Sequence, residues 1–96
     1  VTVYVDDFRV PARVGRLSGR WSHLTADTVE ELHAFAARLG MKRSWFQDKG
    51  DGRWHYDVTD SKRDAAIELG ATPITLREMG AFITARRAGV SREATP

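Results

Sequence analysis

β-Branched and aromatic residues run almost unbroken over residues 2–5, and Asp6-Asp7 end the run. A short continuous apolar stretch is the pattern of a buried strand, so the chain is expected to open on one and to leave two acids at its C-terminal end. Over residues 8–27 no period is sustained, because Pro11, Gly15, Ser18 and Gly19 interrupt it. That stretch reads as a long loop, and loops of this length within a small domain are usually functional. Periodicity returns at Thr28. Thr28 and Glu31 have the spacing of a capping box, and Val29, Leu32, Phe35, Ala36 and Leu39 share one face before Gly40, which predicts an amphipathic helix. Residues 44–47 read as a second strand and Asp48-Lys49-Gly50-Asp51-Gly52 as a turn or loop. A second helix is expected from 59–61, with Ser61 and Asp64 able to cap, to Gly70. A short strand at 72–75 follows. Thr75 and Glu78 then repeat the capping-box spacing, and Leu76, Met79, Phe82 and Ile83 give a third helix ending by Gly89.

The order βαβαβα predicts a small α/β domain with a three- to four-stranded, mainly parallel sheet and three helices, because each helix returns the chain by a right-handed crossover. With 96 residues there is room for one core, so residues 1–90 are expected to form one domain and 91–96 a flexible tail. Apolar residues at 42% and charged residues at 29% are globular values and exclude a mainly disordered chain. No apolar run approaches the roughly 20 residues needed to cross a bilayer. The opening residues run into Asp6-Asp7 rather than a signal-peptide core, so no membrane association and a cytoplasmic location are expected. The absence of cysteine removes disulfides, thiolate zinc sites and cysteine nucleophiles, and any metal must sit on His, Asp or Glu. A net charge of +2 is too small to announce a nucleic-acid binder, but Arg9, Arg13, Arg16 and Arg20 follow one another with no acid between Arg9 and His23.

Four segments in order, Val3-Tyr4-Val5-Asp6-Asp7, Arg20-Trp21-Ser22-His23-Leu24, Glu31-Leu32-His33-Ala34-Phe35-Ala36 and Trp54-His55-Tyr56-Asp57-Val58-Thr59, together resemble the bacterial and phage family described as domain of unknown function 4031. The resemblance spans nearly the whole chain. It implies a bacterial or bacteriophage origin and transfers no catalytic residue.

The acids that end the first strand are the first candidates for chemistry. Open parallel sheets bind ligands beyond the carboxyl ends of their strands, where Asp6 and Asp7 could grip a divalent cation, although alternation lets only one of them point inward. The bland alternative, one acid capping a turn and the other in water, has about even odds. His55 and Asp57 are separated by one residue, so in extended backbone they point the same way and offer a general acid or base with its orienting carboxylate, or two metal ligands. An edge strand with its polar side in water is the commoner origin of such a pattern. His23 could join them; His33, on the margin of the first helix, is expected to be structural. Asp6, Asp7 and Asp57 are the expected metal ligands, for Mg²⁺ or Mn²⁺. Arg9, Arg13, Arg16 and Arg20, with Trp21, His23 and Lys62, are the expected phosphate-ligand residues, since guanidinium forks suit phosphate, indoles stack on bases and the second helix starts at Ser61-Lys62. No Walker loop, dinucleotide fingerprint, zinc-protease motif or serine elbow is present.

One topological choice decides whether these residues meet. A hairpin of residues 45–47 with 54–58 is expected to carry Asp57 away from Asp7; an irregular excursion at the sheet's edge brings His55 and Asp57 to Asp6 or Asp7, and this second arrangement is favoured. The leading reading is a domain that binds a phosphate ligand, a nucleotide or nucleic acid, with a divalent-metal site. Binding is preferred to catalysis, because nothing fixes a nucleophile. The alternative is a protein-interaction module, such as a phage protein engaging a host factor, with Trp21, Trp54 and Tyr56 as anchors. A sequence-independent DNA binder ranks third.

Overall fold

The computed structural model describes the backbone of residues 2–94 and the side chains of residues 2–88. Six strands and three helices follow in the order β1 (Val3–Val5), β2 (Val10–Val14), β3 (Leu17–Ala26), α1 (Val29–Arg38), β4 (Gln47–Asp48), β5 (Trp54–Thr59), α2 (Asp60–Glu68), β6 (Thr72–Pro73) and α3 (Leu76–Ala94), with a 3₁₀ turn at Arg43–Trp45. The domain is α/β with three helices, but the sheet is mixed rather than mainly parallel, in the spatial order β4-β5-β3-β1-β6 with β2 paired to β3. Among the described residues only β1 and β6 pair in parallel; β1–β3, β2–β3, β3–β5 and β4–β5 are all antiparallel.

The difference from the expected order has one cause, the segment read as a loop. Residues 10–26 form a long β ribbon in which Gly15 and Arg16 make the two-residue turn and Gly15 takes φ +60, a conformation that glycine adopts without strain. Both faces of its outer half are exposed, from Pro11 to Arg20, so no alternation was needed to form it. Pro11 is tolerated because β2 is an edge strand. The inner half of β3 does alternate: Ser22, Leu24 and Ala26 are buried on one face, and His23 and Thr25 lie on the other.

α1 and α2 pack on the face carrying Val5, Leu24 and Tyr56, which stand opposite one another across three strands and are each at most 1% exposed. With Ala26, Leu32, Phe35, Ala36, Leu39, Met41, Val58, Ala66 and Ala71 they make the core. Thr28 caps α1 through Glu31 N, as its spacing predicts. α2 begins at Asp60, within the expected 59–61, and its cap is Thr59 rather than Ser61, accepting from Lys62 N. Thr75 and Glu78 form the reciprocal box, Glu78 N donating to Thr75 Oγ1 and Thr75 N to Glu78 Oε1. α3 runs past Gly89; residues 95 and 96 of the expected tail lie outside the described residues.

α3 lies against the opposite face of the sheet, where the Phe82 ring meets Tyr4 at 4.7 Å. Arg86 pins it there. Its guanidinium donates to Thr25 Oγ1 at 3.2 Å, to Gly52 O at 2.9 Å and to Ala26 O, while its plane covers the Trp54 ring at 3.7 Å and the Phe82 ring at 4.6 Å. Burial pushes its pKa down to about 10, which leaves it cationic at neutral pH. His33, at the core edge, bonds the Tyr56 hydroxyl through Nδ1 at 2.9 Å and packs edge-on to Phe46. Burial first, and Arg43 second, hold its pKa below the usual histidine value, so it serves the core as a neutral ring.

Candidate metal centre

The face under α3 is only partly covered, and its open part holds the polar residues that the sequence singled out. β5 is a strand, and it does form a hairpin with β4, Gln47 opposite His55 and Asp48 opposite Trp54, so the favoured irregular excursion is not what the chain does. The consequence expected of a hairpin does not follow either. β3 lies between β1 and β5 and is antiparallel to both, so β1 and β5 run the same way and their C-terminal ends share one edge. His23 stands directly opposite Asp57, and Asp6 N donates to His23 O at 3.1 Å, which sets Asp6, His23 and Asp57 in one row across the sheet.

Within that row Asp6 is fully buried. Its Oδ1 accepts from His23 N at 3.0 Å and Phe8 N at 3.1 Å, and its Oδ2 lies 2.7 Å from His23 Nδ1. Burial alone would raise this carboxyl; the His23 ring, the two amides and the His23 charge outweigh it and hold the pKa below the usual range. The same bond to Asp6 raises the His23 pKa, against its own desolvation. A carboxylate on Nδ1 fixes the imidazole as the Nδ1–H tautomer and leaves Nε2 as the free nitrogen. Phe8 stacks on the ring at 5.2 Å and nearly parallel, which holds its tilt.

His55 closes on this group from the next turn of the pleat. Its ring lies edge-on to His23 at 5.1 Å, its Nε2 is 3.3 Å from Asp57 Oδ1, and its Nδ1 is 3.3 Å from Arg53 O. Asp57 is held through Oδ2 by Gln47 Nε2 at 2.5 Å. Burial would raise its pKa, but the bonds from His55 and Gln47 and the two histidine charges lower it. One potential ligand atom from each of His23, His55 and Asp57 lies within 4.8 Å of the others. Each of the three also has a partner of its own: Asp6 behind His23, Arg53 O behind His55, and Gln47 behind Asp57. Two imidazoles and a carboxylate, each oriented from behind, form a set able to hold a divalent ion.

The other predicted site residues do not join this group, although Trp21 and Lys62 line a groove that Asp57 also lines. Asp7 turns away from Asp57 and accepts from Leu76 N at 2.7 Å, at the start of α3 where a negative charge is favoured. Arg9 makes a two-bond contact with Asp60, at 3.1 and 2.8 Å. Arg13 donates to Gly15 O and Arg20 to Arg9 O, and Arg16 sits in the ribbon turn. By register Arg13 and Arg20 share the face of Ser18 and Ser22, opposite to that of His23, so they do not reach the centre. Lys62 donates to Leu39 O at 2.6 Å, closing the C-terminal end of α1. Trp21 lies on the His23 face, its indole N–H bonded to Ala12 O at 3.1 Å. Of the proposed interaction anchors, Tyr56 is core at 1% exposed, and Trp54 is half-buried beneath Arg86.

The cations that lie near the histidines were not among the expected ligand residues. A groove of about 480 Å³ beside α3 is lined by His23, His55, Lys49, Arg53 and Arg87, with no acid among its lining residues. Gln47 was not among them either; its signal was the hairpin register about the Gly50-Asp51-Gly52 turn.

The family model described as Protein of unknown function (DUF4031) matches residues 3–86. No curated protein and no solved structure matches the chain. The matched span reaches from the first residue of β1 to Arg86, and so takes in the whole His23–His55–Asp57 group, its three backing partners and the arginine that pins α3. This chain belongs to the DUF4031 family.

Proposed function

We propose that this domain binds a divalent transition-metal ion through His23, His55 and Asp57 and uses it to hold a phosphate-bearing ligand. The observation that carries the reading is the convergence of three donor groups, each oriented from behind by a separate partner. A solvated polar strand face needs no such support. Ligand bonds of about 2.1 Å at tetrahedral angles hold donors about 3.4 Å apart. His55 Nε2 and Asp57 Oδ1, at 3.3 Å, already have that spacing. The remaining donor lies within 4.8 Å of these two, so a shift of at most about 1.4 Å brings it to the same distance.

Three protein ligands leave a coordination position open for water or a ligand oxygen. Two imidazoles move the preference from Mg²⁺ towards Zn²⁺, Fe²⁺ or Mn²⁺. Lys49, Arg53 and Arg87 line the groove beside the histidines and add positive charge for a phosphate beside the ion, Arg53 while also donating to Gly50 O and Lys49 O.

Calorimetric titration of the full chain with Zn²⁺ and with Mn²⁺ tests the metal reading. One ion per chain is expected, with His55→Ala and Asp57→Asn each weakening binding by about 100-fold or more and Mg²⁺ giving no comparable heat. An absence of heat with both transition ions, or variants that bind as the native chain does, would end the reading.

A further inference from the structure

The His23–His55–Asp57 group lies between two grooves that differ in chemistry, His23 and His55 lining one and Asp57 the other. Register places Thr25, His23 and Trp21 on one face of β3, and His55, Asp57 and Thr59 on the same face of β5, with His23 opposite Asp57 and Trp21 opposite Thr59. Towards α3 lies the groove that carries Lys49, Arg53 and Arg87. Arg87 is paired there only loosely, 3.9 Å from Asp51. Towards the ribbon lies a second groove of about 580 Å³, whose lining includes Val14, Leu17, Trp21, Trp45 and Asp57, with Lys62 as its cation. Asp57 therefore belongs to both the metal set and the aromatic groove.

Resting on the reading above, we infer that the ligand is a nucleotide unit, with its phosphate at the metal and the Lys49–Arg53–Arg87 end and its base against Trp21 and Trp45. A bare phosphate would use only the cationic end, and an apolar ligand only the other. The step from the His23–Asp57 row to the Trp21–Thr59 row is two residues of strand, about 7 Å, which is within the reach of a ribose between phosphate and base. Trp45 is 48% exposed, with the Lys42 ammonium 5.8 Å from its ring centre, and Trp21 is held in place by its bond to Ala12 O. An exposed indole beside a fixed one offers a base a flat apolar surface, and Gln47 and Thr59 add polar groups on the groove wall. The same chemistry is presented by a free nucleotide and by one residue of a single strand.

Tryptophan fluorescence titrations of the full chain, with and without Zn²⁺, separate these terms. The probes are adenosine 5′-monophosphate, inorganic phosphate, adenosine and a short single-stranded oligonucleotide. The monophosphate is expected to bind about tenfold or more tightly than inorganic phosphate, since stacking adds that much per base. Trp45→Ala should remove this advantage and Trp45→Phe restore most of it, while inorganic phosphate binding and the Zn²⁺ titration stay as in the native chain. Trp45 is too exposed for its loss to unfold the domain. Tighter binding of the oligonucleotide than of the monophosphate, weakening steeply with salt, assigns the site to a strand; equal binding assigns it to the free nucleotide. Equal affinity for the monophosphate and inorganic phosphate overturns the inference and leaves the aromatic groove to a protein partner. Failure to bind Zn²⁺ overturns the metal reading alone, because the contribution of the base is also read without the ion.

Discussion

Asp6→Asn is expected to lower metal affinity about 10- to 100-fold while the chain remains folded, although Asp6 itself touches no ion. The substitution keeps the size of the side chain and an oxygen to accept from the His23 and Phe8 amides. It replaces the oxygen 2.7 Å from His23 Nδ1 with an NH₂ group, which cannot accept a proton. The imidazole then gains by taking the other tautomer, with its hydrogen on Nε2 and aimed at the metal position. Loss of a charge-assisted bond at a fully buried carboxylate costs about 1.5–3 kcal/mol, part of which is recovered because the neutral amide is less costly to bury. Thermal melting alongside the Zn²⁺ titration distinguishes the two effects. A melting temperature far lower, with unchanged affinity in the folded fraction, would assign Asp6 to stability alone.

Arg86→Ala is expected to destabilise the domain by about 2–4 kcal/mol, the sum of its charged hydrogen bonds and its aromatic contacts. One guanidinium joins α3 to the ends of β3 and to the loop before β5, and its removal strips Gly52 O and Ala26 O of the donors described for them. At about 4–8 °C per kcal/mol for a domain of this size, the midpoint falls by roughly 8–32 °C, read by circular dichroism. Arg86→Lys should recover only part of the loss, since an ammonium cannot reproduce the planar fork between two rings. The backbone is fitted to this arginine: a Cβ on Gly52 would lie 2.8 Å from Arg86 Cδ, and Gly52 has φ +77. A loss below about 1 kcal/mol would mean that α3 is held to the sheet by other contacts.

Both residues bear on what could be read from the chain alone. Helix starts were legible where a side chain bonds a backbone three residues away, as at Thr28 and Thr75. The β2–β3 ribbon was not, because a strand pair exposed on both faces needs no alternating pattern, and its proline and glycines have the look of a loop. Missing the ribbon reversed the inferred sheet. Without β3 between β1 and β5, a β4–β5 hairpin should have carried Asp57 to the wrong end, and the opposite result follows from one inserted antiparallel strand. His55 and Asp57 were legible as a pair because their spacing is local. His23 was legible only as a loop histidine, since the carboxylate that orients it is 17 residues distant in sequence. Alternation did foretell that Asp6 and Asp7 point different ways: one is buried behind His23 and the other sits at the start of α3. Spacing along the chain did not reveal that Arg13 and Arg20 occupy the face of the ribbon opposite to His23.

The most direct test is an anomalous difference map from a crystal of the native chain soaked in Zn²⁺. A single peak about 2.0–2.2 Å from His23 Nε2, a nitrogen of His55 and an oxygen of Asp57 is the expected result. A peak bound instead by the carboxylates of Asp6 or Asp7, or no peak on this face of the sheet, contradicts it.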